Sequence, residues 1–234
     1  MGREWLRLPD DHRAMSCPLC GGTIPADSAF HLTLPGPRRC HRCPHCFLLH
    51  VDEEEALDPA RERERYLLHR NDAEDEGYVR FLLRLADPAL RFVPPGTKGL
   101  DYGCGESAVL ASLVRARGRR CDAFDPYFHP EPPTAPYGFL LAAEVFEHFR
   151  RPGEEIERLL ALIAPGGILG VMTERWSNQD AVARWHYVSD PTHVAFYHER
   201  TFDWIGRRHA LELLHRDAER VTVFRLPPAP ASRR

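Results

Sequence analysis

The chain has 234 residues, with 31 Lys and Arg against 34 Asp and Glu and a formal net charge of -3. A balance this close to neutral, with the basic residues scattered, gives no general attraction to nucleic acid or to an anionic membrane. No apolar run is long enough to span a bilayer and the opening MGREWLRLPDDHR has no apolar signal core, so the sequence predicts a soluble, cytoplasmic protein with one α/β domain and a small extra module.

Cysteine organises the first segment. In a reducing compartment the 7 cysteines read as metal ligands before disulfides. CPLCGG at 17–22 and CPHCF at 43–47 repeat a C-P-x-C knuckle, a tight turn that points two thiolates at one ion. Cys17, Cys20, Cys43 and Cys46 are therefore expected to hold a structural zinc, since four thiolates leave no open position for catalysis. Cys40 makes a C-x-x-C with Cys43, and His41 or His45 could substitute; the proline pattern favours the Cys43 and Cys46 pair. TIPADSAFHLTL and FLLHV read as short strands, giving a zinc-ribbon module over residues 1–52.

Residues 53–77 read as a charged linker and lid. The first part, VDEEEALDPARERER, is expected to be a solvated helix with no chemistry on its face. RYLLHRND then places Tyr66, His69 and Asn71 in a polar run, and GYVRFLLRL, from Tyr78 onward, is an amphipathic helix that should pack beside a sheet.

At 97–107, TKGLDYGCGES runs from an apolar strand through an acid into alternate glycines. Gly103 and Gly105 allow a sharp turn and a close approach of backbone to ligand, and AVLASLVRARG reads as a helix whose N-terminus faces that ligand. About twenty residues further on, CDAFDPYF supplies a second strand ending at Asp125, where nucleotide-binding α/β domains bind ribose hydroxyls. Neither G-x-G-x-x-G nor G-K-[ST] is present, so the loop fits a cofactor without phosphates, and Asp101 stands where a carboxylate would meet a cation.

DYGCGES, the acid in FDPYF, the EVFEH segment and LIAPGGILGVMTE resemble, in order, the motifs of class I S-adenosylmethionine-dependent methyltransferases. The resemblance covers about residues 78–226 and implies a Rossmann-like, doubly wound, mainly parallel sheet. It places Asp101, Tyr102, Gly103, Cys104, Gly105, Asp125, Pro126 and Glu144 around S-adenosyl-L-methionine. YxxHxN followed by GYVxFL is similar to a bacterial ribbon-containing subgroup, in which Tyr66, His69, Asn71 and Tyr78 would cover the cofactor and substrate mouth. Two departures stand out. HPEPPTAPYG leaves too few residues for the usual third strand and its helices, which predicts a reduced sheet, and Ser107 replaces a third glycine.

The strand GFLLAAEV brings Glu144, Glu147 and His148 to the carboxyl end of the sheet. In one reading Glu144 lines the cofactor and His148 is a polar residue at the mouth. In the other, E-x-x-E-H resembles the metal motif of small-RNA 2'-O-methyltransferases and some quinone O-methyltransferases. That likeness implies magnesium or another divalent ion held by Glu144, Glu147, His148 and His193, the last aimed by the Asp190–Pro191 turn. Glu144, His148 and His193 are the candidate catalytic residues, while His186 and His198 read as structural. RRPGEEIERLLALIA and TFDWIGRRHA are expected to be helices, the latter N-capped by Thr201, followed by two terminal strands and a disordered tail at 227–234. The expected acceptor is a small molecule, most simply a hydroxyl. Nucleic acid is the less favoured partner, a non-catalytic cofactor-binding module is the competing class, and nothing in the sequence specifies an oligomer.

Overall fold

The computed structural model describes residues 15–32, 38–67, 72–182 and 185–229. In chain order the N-terminal part runs β1 (Met15–Ser16), β2 (Thr23–Ile24), β3 (Ala29–Leu32), β4 (Arg38–Arg42) and β5 (Leu49–Val51), then α1 (Pro59–Tyr66) and α2 (Glu76–Leu90). The central part runs β6 (Lys98–Tyr102), α3 (Val109–Ala116), β7 (Arg120–Phe124), β8 (Tyr137–Ala143), α4 (Pro152–Ala161) and β9 (Ile163–Met172). The chain continues through β10 (Arg175–Trp176), α5 (Gln179–Val182), β11 (Ala195–His198), α6 (Glu199–Arg208), β12 (Glu212–Arg216) and β13 (Val221–Arg225).

The principal sheet has six strands in the order β12-β13-β9-β8-β6-β7. β7, β6, β8 and β9 pair in parallel, whereas β13 is antiparallel to β9 and to β12. Both faces are covered, as a parallel sheet requires, and β8 has Phe139, Leu140, Leu141 and Ala142 fully buried. One face is covered by α2 and α3 through Leu85, Ala86, Ala89, Ala111 and Val114. Asp75 caps α2 by accepting from the amides of Gly77 and Tyr78.

The reduced sheet is present as expected: β7 is an edge, and residues 125–136 return to β8 with only an isolated bridge between Asp125 and His129. Asp122 on that edge accepts from the Tyr137 hydroxyl at 2.9 Å and pairs with Lys98. Tyr137 in turn accepts from the Thr134 amide, so the proline-rich return is stitched to the strands it joins.

The ribbon is not a sheet of its own. A second sheet has the order β10-β11-β5-β4-β3, and β5 pairs with β11 by the register Ala195 to His50 and Phe196 to Leu49. Strands from residues 29–51 therefore share hydrogen bonds with strands from 175–198, and the two regions share one apolar cluster that includes Leu32, Leu49, Trp176, Val188 and Phe196. Cys40, fully buried, belongs to that cluster.

Two local expectations are corrected. α6 is capped by His198, whose Nδ1 accepts from the Arg200 amide, while the Thr201 side chain sits at the third helical position and accepts from the His198 amide. The capping box thus starts three residues earlier, because β11 runs directly into the helix. Of the tail, 227–229 follow β13, with the Pro227 carbonyl accepting from the Gly166 amide; 230–234 lie outside the described residues.

Candidate functional site

The two knuckles bring Cys17, Cys20, Cys43 and Cys46 together, with all four sulfurs within 4.8 Å of one another. Cys17 to Cys46 and Cys20 to Cys43 are each 3.5 Å apart. A tetrahedral ion with bonds of about 2.3 Å spaces its sulfurs about 3.8 Å apart, so the cluster fits zinc with little adjustment. The turns repeat: Cys17 donates its amide to Gly22 and accepts from Gly21, and Cys43 does the same with Leu48 and Phe47. The Gly22 amide also points at the Cys20 sulfur at 3.3 Å. Cys40 is not in the cluster, and His41 is paired with Asp52 instead, at 2.8 Å.

A cavity of about 610 Å³ opens at the carboxyl end of the principal sheet, touching Tyr102, Gly103, Cys104, Gly105, Pro126 and Glu144. The glycine loop that forms one wall has φ of +72° at Gly103 and +64° at Gly105. A Cβ at Gly103 would also lie 2.5 Å from Val145, so no other residue fits. Ser107 is tolerated because the next left-handed residue is Ala108, at φ +44°.

Two acids expected to touch the cofactor are placed differently. Asp101 is absent from the cavity wall: its carboxylate is 1% exposed and accepts from the Ala111 amide at 2.9 Å, pinning α3 to the strand. Burial raises its pKa to about 7. Asp125 is buried beside the cavity, accepting from the amides of Gly105 (3.1 Å), Tyr127 (2.9 Å) and Phe128 (3.2 Å). Its carboxylate thus ties the glycine loop to the loop after β7. His129 adds a second tie through the Glu106 carbonyl, at 2.9 Å from its Nε2.

A second cluster brings together Glu147, His148 and His193, whose candidate ligand atoms lie within 4.8 Å of one another. Glu147 is fully buried, and neither oxygen makes a regular hydrogen bond although the Tyr187 and Thr173 hydroxyls lie beside it. Burial lifts its pKa to about 7. His148 Nδ1 faces the Thr192 carbonyl at 3.2 Å, and His193 Nδ1 faces the Tyr187 carbonyl at 2.7 Å. A carbonyl only accepts, so each Nδ1 carries a proton, and Nε2 is the atom left to face an ion, the arrangement that orients an imidazole as a metal ligand. Burial, then the neighbouring His148, lowers the His193 pKa to about 3 and keeps that ring neutral. The donor set suits a divalent ion: a buried carboxylate without a regular hydrogen bond and two imidazoles.

Glu144 stands apart from this triad. It adopts φ +54°, a conformation that costs a non-glycine residue about 1–3 kcal/mol. Its carboxylate accepts from the Tyr187 hydroxyl at 3.2 Å and faces Arg220 at 3.5 Å, and burial followed by repulsion from Glu147 raises its pKa to about 8. Of the four residues expected around a divalent ion, three converge and the fourth lines the cavity.

α1 closes the cavity from above. Tyr66 lies edge-on to His148, centroids 5.3 Å apart, and 5.7 Å from Tyr127, between His148 and the loop after β7. Its hydroxyl donates to Glu62 at 2.8 Å; Glu62 pairs with Arg150 at 3.3 Å and Arg65 with Asp190 at 3.4 Å. The expectation of a chemically silent helix is thus corrected: α1 is solvated on one face and presents Glu62 and Tyr66 to the cavity on the other. Tyr78 also lines the cavity, whereas His69 and Asn71 lie outside the described residues. His186 is largely exposed beside Glu174. Sequence reasoning missed Glu62, Arg150 and Tyr187; only the neighbours of Tyr187 in WHYVSDPTH hinted at the last.

A family model described as a methyltransferase domain matches residues 66–216. No curated protein matches the chain. Among solved structures, a Burkholderia thailandensis 1,6-didemethyltoxoflavin-N1-methyltransferase with 1,6-didemethyltoxoflavin and S-adenosylhomocysteine bound is similar, at 14% identity over 81% of this chain and 96% of that one, with a TM-score of 0.51. The N-methyltransferase NodS of Bradyrhizobium japonicum WM9, in complex with S-adenosyl-L-homocysteine, is similar at 16% identity over 71% of this chain and 97% of that one, with a TM-score of 0.47. At such identities the likeness is one of fold.

Proposed function

The chain belongs to the methyltransferase-domain family, the class I S-adenosylmethionine-dependent enzymes, and from that premise we propose that it methylates a hydroxyl of a small molecule with the help of a divalent ion. The observation that carries the reading is the convergence of Glu147, His148 and His193 beside the cavity that the glycine loop also lines. Family membership and the Burkholderia neighbour's bound S-adenosylhomocysteine support the cofactor.

In this reading Gly103 and Gly105 admit the methionine part of S-adenosylmethionine against bare backbone, with Tyr102 and Cys104 in the same wall. Asp125 keeps about one of the four lone-pair sites of its carboxylate for a ribose hydroxyl, the rest being spent on amides. Pro126 forms the neighbouring wall. The sulfonium is already a good leaving group, so the protein's task is to align acceptor oxygen, methyl and sulfur, to exclude water and to manage one proton. Tyr66 and Tyr127 exclude water from above. Magnesium or a similar ion at Glu147, His148 and His193, once bound, lowers the pKa of the acceptor hydroxyl. Glu144, with its pKa raised to about 8, stands at the cavity wall and holds a proton at neutral pH, so it accepts one from the acceptor only in the fraction that is ionised. The four-cysteine cluster is assigned to zinc in a structural role.

Methyl transfer from labelled S-adenosylmethionine to a panel of phenolic and aliphatic alcohols, with and without chelation of weakly held ions, tests the proposal. Activity should vanish with the chelator, return with magnesium or manganese, and fall at least 100-fold in Glu147→Gln. Transfer indifferent to both treatments removes the ion from the mechanism.

A further inference from the structure

His193 sits 155 residues from the strand that holds it. Arg38, on β4 of the ribbon, is 6% exposed, and its guanidinium reaches across to the turn that precedes β11. Its Nη1 donates to the His193 carbonyl at 2.8 Å and lies 3.5 Å from the Pro191 carbonyl, while Nη2 donates to the Val188 carbonyl. These three acceptors bracket the stretch that aims the imidazole. Asp190 shapes the same stretch from within by accepting from the Thr192 amide and hydroxyl at 3.0 and 2.7 Å. On the next residue, Val194 donates its amide to the Glu147 carbonyl and its own carbonyl accepts from Val51 of β5, both at 2.8 Å. The ribbon therefore grips one ligand through Arg38 and reaches a second through β5 and Val194.

From these contacts we propose that Arg38 is a positioning residue for the acceptor site, setting the place of the His193 imidazole relative to Glu147 and His148. A planar guanidinium with donors in a fixed fork spans carbonyls on both sides of the turn, which neither an ammonium nor a neutral chain can do. The ribbon is then part of the methyl-acceptor machinery and not a separate docking module. This inference rests on the divalent-ion reading above.

The test uses the zinc-loaded full chain, wild type beside Arg38→Met and Arg38→Lys, and three readouts: manganese binding by calorimetry and by its electron paramagnetic resonance signal, S-adenosylhomocysteine binding, and zinc content. Manganese discriminates because it favours sites with a carboxylate over all-thiolate ones. Arg38→Met should bind manganese about 10–100-fold more weakly, the scale expected when the partner that orients a metal ligand is lost. Zinc content should stay at one per chain and S-adenosylhomocysteine affinity within about twofold of wild type. Arg38→Lys should fall in between, and it carries the comparison alone if the methionine variant does not fold. Unchanged manganese affinity in a folded variant overturns the role of Arg38, and so does a parallel loss of all three readouts. A wild-type protein that takes up no manganese overturns the ion-assisted reading itself.

Discussion

The acids of the glycine loop were legible as residues but not as contacts. D-Y-G-C-G marks a strand end where a carboxylate belongs, yet spacing alone does not say whether that carboxylate faces ligand or backbone. Asp101 faces backbone. Its pKa is raised to about 7 by burial, so the folded state holds its proton more tightly than the unfolded chain does. Its contribution to stability is therefore best below the unfolded pKa near 4, is eroded as pH rises toward 7, and is fully lost above. Asp101→Asn keeps an acceptor for Ala111 without the buried charge. The variant should gain stability over wild type as pH increases from about 4 to 7, by on the order of 1–4 kcal/mol at the plateau, measured by denaturant melts across that range. Asp125→Ala, by contrast, removes an acceptor that three amides share. It should cost about 10–100-fold in cofactor affinity and also loosen the loop, which faster amide exchange at Gly105 would register.

Among the elements, the missing third strand could be read by counting residues, because the return from β7 to β8 is too short for the usual insertion. The helix periods were equally legible. The pairing of β5 with β11 was not: strand partners far apart in sequence leave no local trace, and L-H-V has no alternation to mark its neighbour. α1 was hidden for another reason. Its glutamate and arginine pattern suits a solvated helix, and the face that matters carries just Glu62, Arg65 and Tyr66. The two ion pairs that hold it are partly exposed and together are worth about 0.4–2 kcal/mol. Arg65→Ala should accordingly raise the acceptor KM about three- to fivefold while leaving S-adenosylhomocysteine affinity within twofold, as steady-state kinetics and calorimetry would show.

For the whole molecule, the cysteine knuckles are part of the foundation of the principal sheet. Cys17, Cys43 and Cys46 lie in one apolar cluster with Phe146, Ile156 and Tyr197. The Tyr197 hydroxyl donates to the Phe146 carbonyl at 3.1 Å, one residue before Glu147. On the other side, Gly153 donates its amide to the Pro18 carbonyl at 3.1 Å. A Cβ at Gly153 would come within 2.8 Å of Leu19, so even alanine would push the first knuckle away. On the assignment of zinc to this cluster, stripping it with a strong chelator should lower the melting temperature by more than about 10 °C, since structural zinc sites contribute folding energy outright. Thermal scans with and without added zinc read this directly; an unchanged transition would show that the knuckles hold without an ion.

The shared second sheet also imposes an order of events during synthesis. β5 ends at Val51, whereas its partner β11 begins at Ala195, so on a ribosome adding ~5–20 residues per second the strand emerges roughly seven to thirty seconds before its β11 edge can be paired. Throughout that interval one edge of the nascent ribbon is open, and its shape rests on the knuckle turns and on the pairing of β3, β4 and β5 with one another. The four cysteines are thus complete as a set about a hundred residues before Glu147 is made, while the outer pairing of β5 waits on the strand that follows His193.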